Sequence, residues 1–378
     1  MSYRLIQDET ALERASRELA SVPRLALDCE AAGFHRFTDR LSLVQLSTLE
    51  TTLLLDPLSV DSTPLLGPLL EDPEVRVVMH GADYDLRLLD RDLGLRIRGL
   101  FDTQAAASLL GEEALGLASL LEKYLGVRLA KEHQRADWAR RPLSPELLEY
   151  AASDTRYLLE LQDRLAEELE RRGRMPWAHE EFQTLEEVRW EEDRTDPVTR
   201  VKGARELSAR EVTALRRAME WRDEIARERD RAPFRVMGNK VLLEVVARRP
   251  ATPKELEEMK GVSARLARQK GQELLARLRA VDTLPEDALE PYPPWQGNGG
   301  GRPTPEEQTL MDRIRDLRTE RSRELGLDRG VLLTNAQILD IVRSAPPSLQ
   351  DLEALPGVKR WQTEVLGPEI LGILGSGT

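Results

Sequence analysis

The chain has little sulfur chemistry to offer: one cysteine, Cys29, in 378 residues excludes an intrachain disulfide framework. Aromatic residues make up only 4% of it, too few for an extended stacking surface. No apolar run is long enough to span a bilayer, and no charged-then-apolar start marks a signal peptide. These absences lead to the expectation of a soluble, cytoplasmic protein with no membrane partner. Its length allows two or three domains.

Acid is what the chain does have, and a few acids fall in telling places. In Arg24-Leu25-Ala26-Leu27-Asp28-Cys29-Glu30 the apolar run reads as a buried strand, and period two puts Asp28 and Glu30 on one face. Two such acids repel unless something cationic lies between them. A second apolar run, residues 75–80, ends at His80, expected as a strand-end residue near the site; a Gly81 turn then places Asp85 in the first turn of a helix. An acid there would equally complement the helix dipole. Tyr150 and Asp154, four apart in an apolar-periodic segment starting at Pro145, share a helix face. Hard divalent cations take oxygen ligands, and two held close together can stabilise both the attacking and leaving oxygens of a phosphodiester displacement.

Three blocks carry a family resemblance: Leu27-Asp28-Cys29-Glu30, His80-Gly81-Ala82-Asp83-Tyr84-Asp85-Leu86 and Tyr150-Ala151-Ala152-Ser153-Asp154. In this order the chain resembles the ribonuclease D family, 3′-to-5′ exonucleases of the DEDD superfamily. The segment Lys131–Ser144, which includes Gln134 and Trp138, is similar to the stretch before the family's third motif; Trp138 is expected as a packing anchor. The other superfamily branch has histidine five residues before the last aspartate, where this chain has Glu149, so the resemblance is to the tyrosine subgroup. The resemblance implies two divalent cations, Mg²⁺ or Mn²⁺. Asp28 would bridge them, Glu30 and Asp154 would hold the one that activates water, Asp85 would serve the other, and Tyr150 would orient the attacking water.

Strands are expected near 24–32, 41–48, 52–56, 75–80 and 98–102, with a connecting helix over 173–202. This gives an α/β, ribonuclease H-like exonuclease domain, a mixed sheet flanked by helices, over residues 1–202. An internal repeat follows. Residues 242–250, ending Arg248-Arg249-Pro250, recur as residues 338–346, ending Ser344-Ala345-Pro346, each followed by a glycine-ended turn at Gly261 or Gly357. Two small all-α helical-bundle domains, 203–281 and 303–378, are therefore expected, joined by a Pro/Gly linker over 282–302. Both resemble the helicase-and-RNase-D C-terminal (HRDC) domain.

Charge separates the two bundles. Residues 203–281 carry 19 basic and 12 acidic side chains, residues 303–378 carry 9 and 12, and residues 1–202 carry 26 and 39. The first bundle is the expected nucleic-acid binder, through Arg216, Arg217, Arg227, Arg229, Arg231, Arg235 and Lys240, with His80, Lys131 and Gln134 as further candidates near the site. The resulting expectation is a metal-dependent 3′-to-5′ exoribonuclease acting on single-stranded RNA 3′ ends, with tRNA precursors the substrate implied by the resemblance. A DNA exonuclease of the same superfamily and an inactive nucleic-acid-binding scaffold are the alternatives.

Overall fold

The computed structural model describes residues 3–129, 135–294 and 301–375. Its first part contains β1 (Tyr3–Ile6), α1 (Glu9–Leu19), β2 (Arg24–Ala31), β3 (Leu41–Ser47), β4 (Thr52–Leu55), α2 (Thr63–Leu70), β5 (Arg76–Met79), α3 (Asp83–Leu93) and β6 (Leu100–Asp102). Helices α4 (Thr103–Leu109), α5 (Leu117–Leu125), α6 (Pro145–Arg156), α7 (Leu158–Arg171) and α8 (Met175–Glu186) follow. The sheet order is β1-β4-β3-β2-β5-β6. β2, β3 and β4 form an antiparallel unit, while β5, β6 and β1 add in parallel. This is the expected mixed sheet. β1 was not expected: four residues at a sheet edge are too short to show a period.

The alternation in β2 assigns its two faces. Leu25 and Leu27 pack with Leu12, Leu65 and Leu86 from α1, α2 and α3. Ala26 packs with Leu161 and Leu165 of α7. Asp28 and Glu30 continue the Ala26 face, which α6 and α7 cover. A bulge between Glu30 and Ala31 ends the regular ladder just past the second acid.

The expected connecting helix is corrected. Only Met175–Glu186 is α-helical; residues 187–196 are irregular and a single 3₁₀ turn spans Pro197–Arg200. The charged run from Glu186 to Arg194 lacks the apolar spacing that would hold a helix against a core.

The repeat is real in three dimensions. α9 (Ala209–Glu228), α10 (Pro233–Val236), α11 (Asn239–Arg248), α12 (Pro253–Glu257) and α13 (Ala264–Asp282) are matched in order. Their counterparts are α14 (Pro305–Leu325), α15 (Arg329–Leu332), α16 (Asn335–Ser344), α17 (Leu349–Glu353) and α18 (Arg360–Gly375). Both long first helices start with a capping box, Ser208 with Glu211 and Thr304 with Glu307. Both third helices end on a left-handed residue before proline, Arg249 at φ 49° and Ala345 at φ 44°.

The bundles differ in what they pack on. The first has its own core, built on Leu215, Trp221, Leu242, Leu256 and Leu274. The second shares a core with the nuclease domain, where Met311, Ile314, Trp361 and Leu366 join Leu109, Leu161 and Phe182. Trp177 of α8 stacks on Trp361 of α18 at 4.8 Å and 18°. The early part of the expected linker is also ordered by contact, since Glu290 N–H donates to Thr213 Oγ1 on α9 at 2.8 Å.

Candidate active site

Two elements deliver acid to one cleft, and a third holds a buried acid whose charge bears on theirs. β2 supplies Asp28 and Glu30. α6 supplies Tyr150 and Asp154, its start fixed by Ser144, which accepts from the Leu147 amide, and by Pro145 in its first turn. Carboxylate oxygens of Asp28, Glu30 and Asp154 all lie within 4.8 Å of one another. With Cys29, His80, Tyr150 and a wall from Gly116 to Ser119 they line a cavity of about 490 Å³. Asp85, in the first turn of α3, is buried and lies outside that close group, yet its charge bears on Glu30, and Asp28 in turn bears on it.

No lysine or arginine forms an ion pair with any of these four acids among the described residues. Their carboxyls are accordingly hard to ionise. Burial pushes Asp28 up to about 7, although a hydrogen bond from the Cys29 backbone works the other way. Burial and then the Asp28 charge push Asp154 up to about 8. Glu30 and Asp85 are raised well above the usual carboxylate range by burial and by the neighbouring acids. Crowded, desolvated carboxylates without a basic partner are what a hard divalent cation satisfies, so the donor set fits such an ion. Tyr150 hydrogen-bonds Asp154, and burial followed by the surrounding acids holds its hydroxyl pKa well above the usual phenol value.

The surrounding residues fix this geometry. Asp102, fully buried, caps α4 by accepting from the Ala105 amide at 2.8 Å and accepts from the Ala82 amide at 2.7 Å. It thereby fixes the turn that launches α3 and Asp85. Asp102 did not emerge from the sequence reading, though an Asp just before Thr103-Gln104-Ala105 is an N-cap signature. Thr103 donates to the Met79 carbonyl at 2.9 Å, so its hydroxyl oxygen accepts from His80 Nδ1 at 2.9 Å. Burial keeps the His80 pKa below its ordinary value. Gln45 was also missed. It is the cross-strand partner of Asp28, is fully buried, and neither of its amide atoms has a hydrogen-bond partner among the described residues.

Trp138 is a packing anchor as expected, fully buried with Leu43, Leu54 and Leu148 and 6.2 Å from the Tyr150 ring. Glu149 pairs with Arg156 at 2.9 Å. Lys131 and Gln134 lie outside the described residues. The basic candidates of the first bundle divide. Arg216 pairs with Asp196 and Glu290, and Arg217 with Glu220 and Glu290, so both help hold the bundle together. Arg227, Arg229, Arg231, Arg235 and Lys240 are exposed and form no ion pair among the described residues.

Comparison with known proteins bears on the family of the whole chain. A 3′-5′ exonuclease family model matches residues 3–170, and an HRDC domain model matches 211–278 and 307–374. Ribonuclease D of Escherichia coli K12 is 34% identical over 291 residues, 76% of this chain and 77% of that protein. The chain belongs to the ribonuclease D family. Ribonuclease D of Xanthomonas oryzae pv. oryzae is 30% identical over 362 residues, 94% of each chain. The crystal structure of E. coli RNase D, described as an exoribonuclease involved in structured RNA processing, superposes with a TM-score of 0.70 at 29% identity, covering 100% of this chain and 99% of that one. As a ribonuclease D family member the chain is a 3′-to-5′ exoribonuclease. No described helix is long and apolar enough to cross a membrane.

Proposed function

We propose that Asp28, Glu30, Asp85 and Asp154 hold two divalent cations, Mg²⁺ or Mn²⁺, and that with Tyr150 they remove nucleoside 5′-monophosphates from single-stranded RNA 3′ ends. Cytoplasmic tRNA precursors are the substrates this reading favours. The observation that carries it is the approach of Asp28, Glu30 and Asp154 to within 4.8 Å without a basic partner. Bound cations supply charge stabilisation at the scissile phosphate and an acidified water.

The chain's own groups supply position. Asp28 is close to Glu30 and Asp154 and its charge also bears on Asp85, so it would be shared by both ions; Glu30 and Asp154 would complete one sphere, and Asp85, in α3, would serve the other. Tyr150 is one helical turn from Asp154 and hydrogen-bonded to it. With its pKa raised, it stays a neutral hydroxyl at physiological pH and orients a water without acting as a base. His80, in the cleft wall, would contact the substrate. Arg227, Arg229, Arg231, Arg235 and Lys240 would track phosphates on the basic bundle, while Arg216 and Arg217 would contribute only field through their ion pairs.

The test is incubation of the full chain with Mg²⁺ or Mn²⁺ and 3′-labelled single-stranded RNA or DNA, beside Asp28→Asn, with Mn²⁺ binding followed by calorimetry. Stepwise mononucleotide release from RNA, lost together with Mn²⁺ affinity in Asp28→Asn, is expected. Intact RNA with the wild-type protein overturns the proposal, and preferential shortening of DNA redirects it to a DNA exonuclease.

A further inference from the structure

An aromatic and cationic pad lies beside the cleft, on the seam between the nuclease domain and the first bundle. The chain has only five phenylalanines, and two of them, Phe34 and Phe234, are 41% and 51% exposed with ring centroids 5.3 Å apart. Phe34 comes from the loop after β2 and Phe234 from α10. Isolated exposed apolar residues are ordinary. Two rings meeting across a domain boundary, in a chain so poor in aromatics, need a separate reason.

Cations surround the rings. The Arg235 guanidinium lies 4.9 Å from the Phe34 centroid and 5.9 Å from that of Phe234, and Arg135 lies 5.5 Å from Phe34. Arg227 lies 4.8 Å from Phe37 in the same loop. None of these three arginines forms an ion pair among the described residues, whereas Arg36 of the same loop does. A patch of arginines without ion pairs, one from the nuclease domain and two from the first bundle, suits a polyanion.

The pad is also held rigid. Arg36 pairs with Asp137 at 2.9 Å and with Asp230 at 3.2 Å. Ala232 N–H donates to the His35 carbonyl at 3.1 Å, and Arg235 Nε donates to the Phe34 carbonyl at 2.8 Å. His35 Nε2 donates to the Arg135 carbonyl at 2.8 Å. A loop fixed by so many partners presents its rings without further ordering on binding. Phe34 follows Glu30 by four residues, a reach of at most about 14 Å of extended chain. The pad is therefore within a few nucleotides of the acids.

Taking the exoribonuclease reading as given, we infer that Phe34 and Phe234, with Arg135 and Arg235, form a stacking subsite for a base of single-stranded RNA just upstream of the 3′ end being cut. The rings stack one base, and the guanidiniums meet the flanking phosphates. Stacking accepts any base, so the subsite adds grip without sequence preference. It also explains how an acidic domain holds a polyanion beyond the reach of its metals.

The experiment measures KM and kcat on a short 3′-labelled oligoribonucleotide for wild type, Phe34→Ala, Phe234→Ala, Phe234→Trp and, as an exposed-residue control, Leu49→Ala. The same substrate is also made with an abasic nucleotide moved stepwise back from the 3′ end. Phe234 is half-exposed and no residue of α10 is fully buried, so its removal should leave the fold intact. The expected result is a KM rise of roughly 5- to 150-fold for the alanine variants, the stacking contribution of one base. Tryptophan restores the KM, and Leu49→Ala leaves it unchanged. At one abasic position wild type and Phe234→Ala become equal, an outcome a purely structural role does not give. Unchanged KM in both alanine variants, with wild-type RNA shortening intact, overturns the inference alone and leaves the pad as a surface for some other partner. An alanine effect that persists at every abasic position also overturns it. Failure of the wild type to shorten RNA at all removes the exoribonuclease reading, and the subsite with it.

Discussion

Arg174 ties the second bundle to the nuclease domain, and its replacement should cost enough to see. Its guanidinium is buried, donating from Nη1 to the Leu109 carbonyl at 2.7 Å and from Nη2 to the Leu325 carbonyl at 2.6 Å. Those carbonyls belong to the last residues of α4 and α14, so one cation serves the negative ends of two helices from different domains. The Trp177 ring lies 5.4 Å from the same group. Arg174→Met keeps much of the side-chain volume and removes both donors. Each buried carbonyl left without a partner costs about 1–3 kcal/mol, so the pair costs roughly 2–6 kcal/mol. Removing the buried charge returns part of its desolvation penalty, leaving a net loss of about 2–4 kcal/mol. Arg174→Lys, with one compact donor group in place of a fork, should fall between. The assay is chemical unfolding of the full chain, read by tryptophan fluorescence, because Trp177 and Trp361 stack across this seam and separate when the bundle leaves. An unfolding midpoint for Arg174→Met equal to or above that of wild type would refute the assignment of Arg174 as the seam's clamp.

Three further outcomes follow from particular contacts. Tyr150→Phe keeps the ring packed near Trp138 but removes the hydroxyl that meets Asp154, so kcat in a single-turnover assay should fall on the order of 10²- to 10³-fold with little change in RNA affinity. Gly111→Ala should loosen the docked bundle, since an added Cβ would sit 1.9 Å from the Gly326 carbonyl at a φ of +79°; Gly116→Ala, with nothing within 4 Å, is the matched control, and urea midpoints compare them. Burial pushes the Asp56 carboxyl up, but hydrogen bonds from Arg141, Gln7 and Ser59 outweigh it and hold the pKa below the ordinary value. A depressed folded pKa adds stability that is present above the unfolded value near 3.9 and is lost as pH falls through the folded one. Asp56→Asn should therefore flatten the stability profile below about pH 4, as read by thermal unfolding across pH.

The parts of the site legible in the sequence were those fixed by local periodicity. Asp28 and Glu30 share a strand face because the side-chain period of a strand is two, and Tyr150 and Asp154 share a helix face because that of a helix is near four. Helix starts are set just as locally, since the capping boxes Ser208 with Glu211 and Thr304 with Glu307 each span four residues. Contacts far apart in sequence were not legible. Asp102 meets Ala82 twenty residues away, and only the fold makes that turn a support for Asp85. Residues 187–196 were expected within a connecting helix, yet the Trp190 backbone N–H instead donates to the Asp90 carboxylate and its ring lies 4.4 Å from the Arg91 guanidinium.

The charge count shows how the tertiary structure changes what a sequence total means. The second bundle carries 9 basic and 12 acidic groups, which gives it no reason to bind RNA, and it spends its apolar face on α4, α7 and α8. Lys359 pairs with Glu181, and the Trp361 indole N–H donates to the same carboxylate at 3.1 Å. Two of its polar groups thus satisfy the nuclease domain and not a ligand. The first bundle instead buries its apolar residues in its own core and leaves Arg227, Arg229, Arg231, Arg235 and Lys240 exposed. Copies of one repeat have therefore diverged by which face each can afford to expose. If that division is right, charge reversal at Arg229 and Arg231 should weaken RNA binding and flatten its salt dependence, whereas reversal at the exposed Arg360 should leave both unchanged. An equal loss at all three positions would mean that overall charge, and not the exposed face of one bundle, governs RNA affinity.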